Sequence, residues 1–77
     1  MPTDPLPEWV VTRRQAIGSH VRAARTDAKL SQEKLGELAG LDRKTINRIE
    51  TGAYSTLLDH LLLIADALRV PLTDLVR

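Results

Sequence analysis

Four polar side chains between positions 43 and 48 have the types and the spacing needed for hydrogen bonds to the edges of nucleotide bases. Lys44, Asn47 and Arg48 fall on one side of a predicted helix. Arg43 flanks them in its first turn. Arginine and lysine donate to O6 and N7 of guanine in the major groove, and asparagine pairs with adenine through two hydrogen bonds. A solvated, charged helix face has the same pattern, so these residues alone leave both interpretations open.

Residues 31–52 predict two short helices that are joined by a glycine turn and hold these side chains outward. Ser31 can accept a hydrogen bond from the first turn of one helix, and Asp42 is a good cap for the next. Gly40 and Gly52 stand where each helix must end in a left-handed conformation, which glycine adopts at little cost. Apolar residues at helical spacing predict the buried sides: Leu35, Leu38, Ala39, Leu41, Ile46 and Ile49.

The whole chain is predicted to be an all-α domain that follows a short arm. Residues 1–7 hold three of the four prolines and are expected to form a flexible arm, and residues 8–77 a compact bundle of four to five helices. The predicted helices span residues 8–28, 32–39, 43–51, 57–68 and 72–76. Thr56 and Asp59 predict a capping box for the fourth helix. Inward positions predicted on the first and fourth helices are Val10, Ile17, Val21, Ala24, Leu58, Leu61, Ile64, Ala65 and Leu68.

The composition excludes several functional classes. The chain has 77 residues and no cysteine, which predicts one domain without disulfides or cysteine-ligated zinc. His20 and His60 lack further ligands at metal-binding spacing, so we expect exposed histidines and no metal or cofactor. Ser31, Asp42 and Thr56 fit helix caps and not a nucleophile with its base, so no enzyme is indicated. Without a membrane-length apolar run or a signal-peptide pattern, a cytoplasmic protein is expected.

Basic residues are concentrated in the middle of the chain. The formal net charge is only +1, yet residues 13–52 carry nine basic and five acidic side chains. The flanking segments, residues 1–12 and 53–77, are net negative. A basic surface around the two short helices is what binding to a phosphate backbone requires. Ordinary variation over a small surface explains the same distribution, so it supports the DNA-binding interpretation without establishing it.

The segment LSQEKLGELAGLDRKTINRIETG, followed by LDHLLLIADALRVPLTDL, resembles the lambdoid repressor and Cro-type family, also called XRE-like helix-turn-helix proteins. The resemblance covers roughly residues 17–76. It rests on the Ser-Gln opening, the glycine of the turn, Ile46, the Ile49-Glu50 pair and Gly52. It implies a lambda repressor-like bundle whose third helix contacts double-stranded DNA, usually in a homodimer.

The resemblance also implies roles for single residues in DNA binding. Arg43, Lys44 and Arg48 match the base-contacting positions of the third helix. Asn47 is a further candidate for that role. Gln32 matches a glutamine that packs on a phosphate and helps to orient the base-contacting side chains.

Two further expectations concern the scaffold and the DNA backbone. Arg25 and Glu50 match an internal ion pair that ties the first helix to the end of the third. The loop at residues 53–55 lacks the lysine or arginine that the family often has after the third helix, so no cationic clamp is expected there. The remaining phosphate contacts are expected from Ser31, Thr51, Tyr54 and Ser55.

The resulting hypothesis is a sequence-specific DNA-binding transcriptional regulator, a repressor that binds a near-palindromic operator as a homodimer. Leu63, Leu72 and Val76 are candidates for the dimer contact, because the fourth helix has more leucine than one face needs. Equally, Trp9 and the N-terminal segment could fold back over those leucines. The alternative function is a protein-interaction module of the same fold, such as an antitoxin or a coactivator-type adaptor with a protein partner. RNA binding is less favoured, because aromatic residues are scarce.

Overall fold

The computed structural model describes residues 5–77, which fold into five α-helices and, within that range, no β-strand. The bounds agree with the predicted ones to within one residue. Most of the expected flexible arm, residues 1–4, lies outside the described residues. No helix in the described part of the chain is both long and apolar enough to cross a bilayer. The helices are α1 Glu8–Asp27, α2 Gln32–Ala39, α3 Arg43–Thr51, α4 Leu58–Leu68 and α5 Leu72–Val76.

The core is entirely aliphatic, and every helix contributes one side chain that is completely buried. These side chains, from α1 to α5 in order, are Val21, Leu35, Ile46, Ile64 and Leu75. Burial of one such side chain stabilises a fold by about 1.5–3 kcal/mol. Because these side chains belong to one cluster of buried residues, all five helices share a single core.

Three predictions about the core and the caps are wrong. Leu38 and Leu58 were expected to face inward, but they are 53% and 61% exposed. Other residues fill the inward side of each helix: Leu35, Gly36 and Ala39 on α2, and Leu61, Ile64, Ala65 and Leu68 on α4. The expected capping box at Thr56 is absent, because α4 starts one residue later and its cap, Leu57, receives no side-chain hydrogen bond.

Two helices end at a non-glycine residue in the left-handed conformation. Lys29 follows α1 with φ of 61°, and Arg69 follows α4 with φ of 57°. In each case the next amide closes the helix end, from Leu30 to the Arg25 carbonyl at 3.1 Å and from Val70 to the Ala65 carbonyl at 3.0 Å. These are Schellman-type ends, at which glycine is usual. Lys29 and Arg69 therefore occupy positions that are strained for their residue types.

Gly18 of α1 packs directly against the backbone of the last turn of α3. A Cβ atom on Gly18 would contact the Ile49 carbonyl oxygen and would lie 2.7 Å from that of Glu50. Backbone atoms cannot yield as a flexible side chain can. The absence of a side chain at position 18 therefore sets the distance between α1 and α3, a feature that the sequence analysis did not identify.

We expect Gly18→Ala to lower the free energy of unfolding by about 1–3 kcal/mol, because the added methyl group forces α1 and α3 apart. Ser19→Ala is the matched control: it changes an exposed residue on the same helix and should alter stability by less than about 0.5 kcal/mol. Urea unfolding followed by circular dichroism at 222 nm measures both variants. Equal stability of Gly18→Ala and Ser19→Ala would contradict the close approach.

Candidate nucleic-acid interface

Helices α2 and α3 each have a capping residue at both ends. The Ser31 hydroxyl accepts from the Lys34 amide at 3.0 Å, and the Asp42 carboxylate accepts from the Thr45 amide at 2.7 Å. At the other ends, Gly40 and Gly52 adopt φ of 75° and 68°. All four of these features follow the sequence prediction. They fix where the two helices begin and end, and therefore which side chains of α3 face away from the core.

The outer face of α3 is open to solvent in the described structure. Its exposed residues are Arg43, Lys44, Asn47, Arg48 and Thr51. Ile46 and Ile49 lie on the opposite side and are at most 5% exposed. The four residues predicted to contact bases are therefore brought together on one free surface. This outer face of α3 can offer guanidinium, ammonium and amide donors to a ligand at one time.

A buried ion pair joins α1 to α3 directly beneath that face. Arg25 donates from Nε to Oε2 of Glu50 at 2.6 Å and from Nη2 to Oε1 at 3.0 Å. Its Nη1 donates to the Leu30 carbonyl at 2.7 Å. The Glu50 side chain is only 2% exposed and that of Arg25 13%. The hydrogen bond with Glu50 raises the pKa of Arg25 above its ordinary value. Desolvation lowers the pKa by less, so Arg25 stays charged.

Gln32 connects this ion pair to the exposed face. Its Nε2 donates to Oε1 of Glu50 at 3.1 Å and to Oδ1 of Asn47 at 3.2 Å. Both amide hydrogens are therefore directed into the protein. In this arrangement the Gln32 side chain holds Asn47 in position and has no donor left for a phosphate. The network Arg25–Glu50–Gln32–Asn47 ties together α1, α2 and α3.

The loop after α3 is held by a cation that the sequence analysis missed. Arg14 of α1 donates from Nε to the Gly52 carbonyl at 2.9 Å and from Nη1 to the Ser55 hydroxyl at 3.5 Å. Arg14 fastens the loop to α1, and the expectation that residues 53–55 supply no cationic clamp for a phosphate stays a prediction. These contacts span 38 and 41 residues, so no local pattern in the sequence points to them.

The guanidinium of Arg48 lies over the ring of Tyr54, with Cζ 4.9 Å from the ring centroid. This separation is within the range of a cation–π contact. Tyr54 is 59% exposed, so its hydroxyl and ring are both accessible. A base-contacting candidate and a phosphate-contacting candidate thus touch each other in the free protein. Thr51 lies beside them and donates from its hydroxyl to the Arg48 carbonyl at 3.2 Å.

The residues considered for partner contacts lie in different surroundings. Leu63 is 44% exposed on α4, whereas Leu72 and Val76 are half-buried and pack against the core. Trp9 is 70% exposed, so the interpretation in which it folds back over the leucines is wrong. The buried residues of α1 are Gly18 and Val21, further along the helix than Trp9.

Both histidines are half-buried, which corrects the expectation that they are exposed. The Nδ1 of His20 lies 3.0 Å from the Leu75 carbonyl, so the ring donates a hydrogen bond that ties α1 to α5. Among residues 5–77, no three acidic, histidine or cysteine side chains are grouped as metal ligands would be. His20 therefore has a structural partner.

The cap of α3 predicts a pH dependence. The pKa of Asp42 is lowered from 3.8, chiefly by the hydrogen bonds from Thr45 and further by the charges of Arg48 and Lys44. A lowered folded-state pKa stabilises the fold above the unfolded-state pKa of about 3.9, and this contribution is lost as the pH falls through the folded-state value. An asparagine in place of Asp42 keeps a hydrogen-bond acceptor for the cap but does not titrate.

We therefore expect wild type and Asp42→Asn to differ in free energy of unfolding by a constant amount above about pH 5, and the difference to shrink toward about pH 2. Urea unfolding at a series of pH values measures it, and the contributions of the other carboxylates cancel between the two proteins. A difference that is the same at every pH would show that Asp42 is not stabilised as the anion.

The buried ion pair predicts a large loss of stability when one partner is removed. Arg25→Ala leaves the Glu50 carboxylate buried without its counter-ion, and we expect a loss of about 3–5 kcal/mol. Glu37→Ala is the matched control, because it breaks an exposed pair with Lys34 at 3.4 Å and should cost less than about 1 kcal/mol. Denaturant unfolding compares the two. A loss below about 0.5 kcal/mol for Arg25→Ala would remove the pair from the stability of the scaffold.

Comparison with known proteins agrees with this geometry. Residues 21–75 match the helix-turn-helix family model HTH_3, a segment that includes α2, α3 and α4 in full. A comparison with curated proteins gives no significant match. The restriction-modification controller protein C.AhdI from Aeromonas hydrophila shares 34% sequence identity with the chain. Its structure superposes with a TM-score of 0.80, over 83% of this chain and 97% of that one.

Two further solved structures have the same fold. The hypothetical transcription factor NHTF from Neisseria is 26% identical, with a TM-score of 0.80 over 100% of this chain and 86% of that one. The clp gene regulator ClgR from C. glutamicum is 22% identical, with a TM-score of 0.77 over 94% and 86%, and shows the shared fold alone. Members of this family are typically not enzymes. The chain therefore belongs to the XRE-type helix-turn-helix family, and it is a DNA-binding transcriptional regulator.

Proposed function

We propose that the protein is a repressor that binds a near-palindromic operator as a homodimer and reads it with α3 in the major groove. The observation that carries this proposal is the free outer face of α3, which is anchored from below by the network Arg25–Glu50–Gln32–Asn47. A rigid helix with outward donors fits the major groove, whose width admits one α-helix. Two such helices in one dimer contact half-sites about 34 Å apart. A protein with this role acts on the bacterial or phage chromosome, at the nucleoid in the cytoplasm.

The side chains on the outer face of α3 differ in the bases that they can bind. Arg43 and Arg48 present planar guanidinium groups, which match O6 and N7 of guanine. Lys44 donates to the same atoms as a point charge. Asn47 keeps its Nδ2 donors and one lone pair of Oδ1 beyond the bond from Gln32, which is what pairing with adenine requires.

Phosphate contacts surround this face on two sides. At the start of α2, Ser31 is exposed, and the Gln32 main-chain amide lies at a helix N-terminus, where anions are favoured. This gives Gln32 a phosphate contact that leaves its side chain bound to Glu50. On the other side are the exposed Thr51, Tyr54 and Ser55, with the guanidinium of Arg14 beside them.

The dimer contact is proposed to involve α4. Leu62 and Leu63 are 47% and 44% exposed, and they are adjacent apolar residues on α4. Leu72 and Val76, which are half-buried, contribute only their outer edges. Similarity to a restriction-modification controller protein and to transcription regulators supports a regulatory role for this chain. Repression itself requires only that the operator be occupied.

A protein-interaction module is the second candidate function, and one observation favours it. Leu57 and Leu58 are 63% and 61% exposed at the start of α4, in addition to Leu62 and Leu63 further along. A single dimer contact does not need all four. An antitoxin or adaptor would use this surface for a protein of different sequence. A stable complex with one such protein, formed with the wild type and lost in Leu58→Asp, would favour this function.

Selection of binding sites from random duplexes with the purified chain tests the proposed function. We expect a symmetric consensus with two half-sites about one helical turn apart. Arg48→Ala should then cost about 1–3 kcal/mol on the consensus and relax the preference at one base pair of each half-site. Arg77→Ala is the matched control, since it removes the same charge from an exposed position just after α5 and should leave the preference unchanged.

Three outcomes would contradict the proposal. The first is selection without any consensus sequence. The second is an equal loss of affinity by Arg48→Ala on every sequence, which would restrict Arg48 to phosphate contacts. The third is a 1:1 complex on a single asymmetric half-site, which would exclude the dimer. Sedimentation of the protein with the selected duplex gives the stoichiometry.

A further inference from the structure

We propose that Tyr54 is a positioning residue that holds the guanidinium of Arg48 in the orientation in which it reads a base. This inference rests on the proposed function, in which Arg48 contacts a base pair. It assigns to the Tyr54 ring a role in sequence preference, beyond the phosphate contact expected from its hydroxyl. The residue pair is formed in the protein without DNA, with Cζ of Arg48 4.9 Å from the ring centroid.

The loop that carries Tyr54 is fastened to α1 at residues on both sides of it. On one side, Gly52 is buried against α1, where an added Cβ would lie 2.7 Å from Cα of Gln15. The Gly52 carbonyl accepts from Arg14 at 2.9 Å. On the other side, the Ser55 hydroxyl accepts from the same guanidinium at 3.5 Å. Arg14 thus fastens the loop to α1 on both sides of Tyr54.

Stacking on an aromatic ring leaves the reading atoms of arginine free. The N–H groups of a guanidinium lie in its plane, and Cζ of Arg48 lies over the Tyr54 ring, 4.9 Å from its centroid. Arg48 can therefore keep Tyr54 on one side and still donate to O6 and N7 of guanine. A long exposed side chain otherwise samples many rotamers, and their loss opposes binding. Tyr54 restricts Arg48 before DNA arrives, so less side-chain freedom is lost when Arg48 donates to the base pair that it contacts.

The matched variants are Tyr54→Phe and Tyr54→Ala. Phenylalanine keeps the ring and removes the hydroxyl, whereas alanine removes both. The quantity to measure is a ratio of two dissociation constants. The constant for a duplex changed at the base pair whose preference is lost in Arg48→Ala is divided by the constant for the selected duplex. We expect Tyr54→Ala to lower this ratio about two- to five-fold, the size of a cation–π contact between exposed groups. We expect Tyr54→Phe to keep the ratio, even where loss of the hydroxyl weakens binding to all duplexes alike.

Two further readouts separate positioning from a general effect on the loop. In the Arg48→Ala background, Tyr54→Ala should cause no further change in the ratio, because there is no guanidinium left to position. By NMR without DNA, the side-chain protons of Arg48 should show an upfield ring-current shift in wild type and in Tyr54→Phe. That shift should be absent in Tyr54→Ala. Circular dichroism checks that the exposed substitution leaves the fold intact.

The inference is overturned if Tyr54→Ala weakens binding to every duplex equally and leaves the ratio unchanged. It is also overturned if Tyr54→Phe lowers the ratio as much as Tyr54→Ala, since the hydroxyl would then be the active group. In both of these results the wild type still prefers its consensus, so the proposed function survives. If the wild type itself shows no base preference, the proposed function is wrong, and the inference that rests on it is wrong as well.

Discussion

The burial of one carboxylate, Glu50, is the constraint on which the rest of the structure depends. Helix α3 must leave its outer face polar, so within its nine residues only Ile46 and Ile49 are left as buried apolar side chains. Isolated helices of this length are not stable in water. The two-point ion pair with Arg25 supplies the missing attachment, and the absent side chain of Gly18 lets α1 come close enough to make it. The fold therefore accepts a buried charge so that the outer face of α3 can remain free.

The Glu50 carboxylate also helps to fix the position of an exposed side chain. Gln32 donates to Glu50 and to Asn47 from one nitrogen, so the exposed amide is fixed relative to a group that is 2% exposed. Arg48, the neighbour of Asn47 on this face, is instead held from the side by Tyr54. Two adjacent donors are thus oriented by independent means, one through the core and one through the loop after α3. This independence allows each to be altered without the other.

The sequence was sufficient to predict the parts of this site that depend on neighbours along the chain. The bounds of α2 and α3 were correct because Ser31, Asp42 and the two glycines act within four residues of themselves. Helical periodicity predicts the direction of the buried side of a helix but not how wide that side is. Leu38 and Leu58 were therefore wrongly predicted to be buried. Gly18 and Arg14 were missed because their partners lie more than thirty residues away, and their roles appear only when α1 packs on α3.

The distribution of cations explains how a chain of net charge +1 can bind DNA with selectivity. Several basic side chains in the positive segment are occupied within the protein. Arg25 is neutralised by Glu50, Arg14 is bound to the loop, and Arg13 donates to the carbonyls of Val76 and Arg77 at 2.9 Å. On the proposed function, the exposed cations on the outer face of α3, Arg43, Lys44 and Arg48, are the ones that contact bases. Sequence-independent affinity grows with the number of phosphates neutralised, whereas discrimination grows with directed contacts to base edges. On the proposed function, neutralisation of Arg25 by Glu50 lowers the sequence-independent part of the affinity and leaves the base-directed contacts of α3 unchanged.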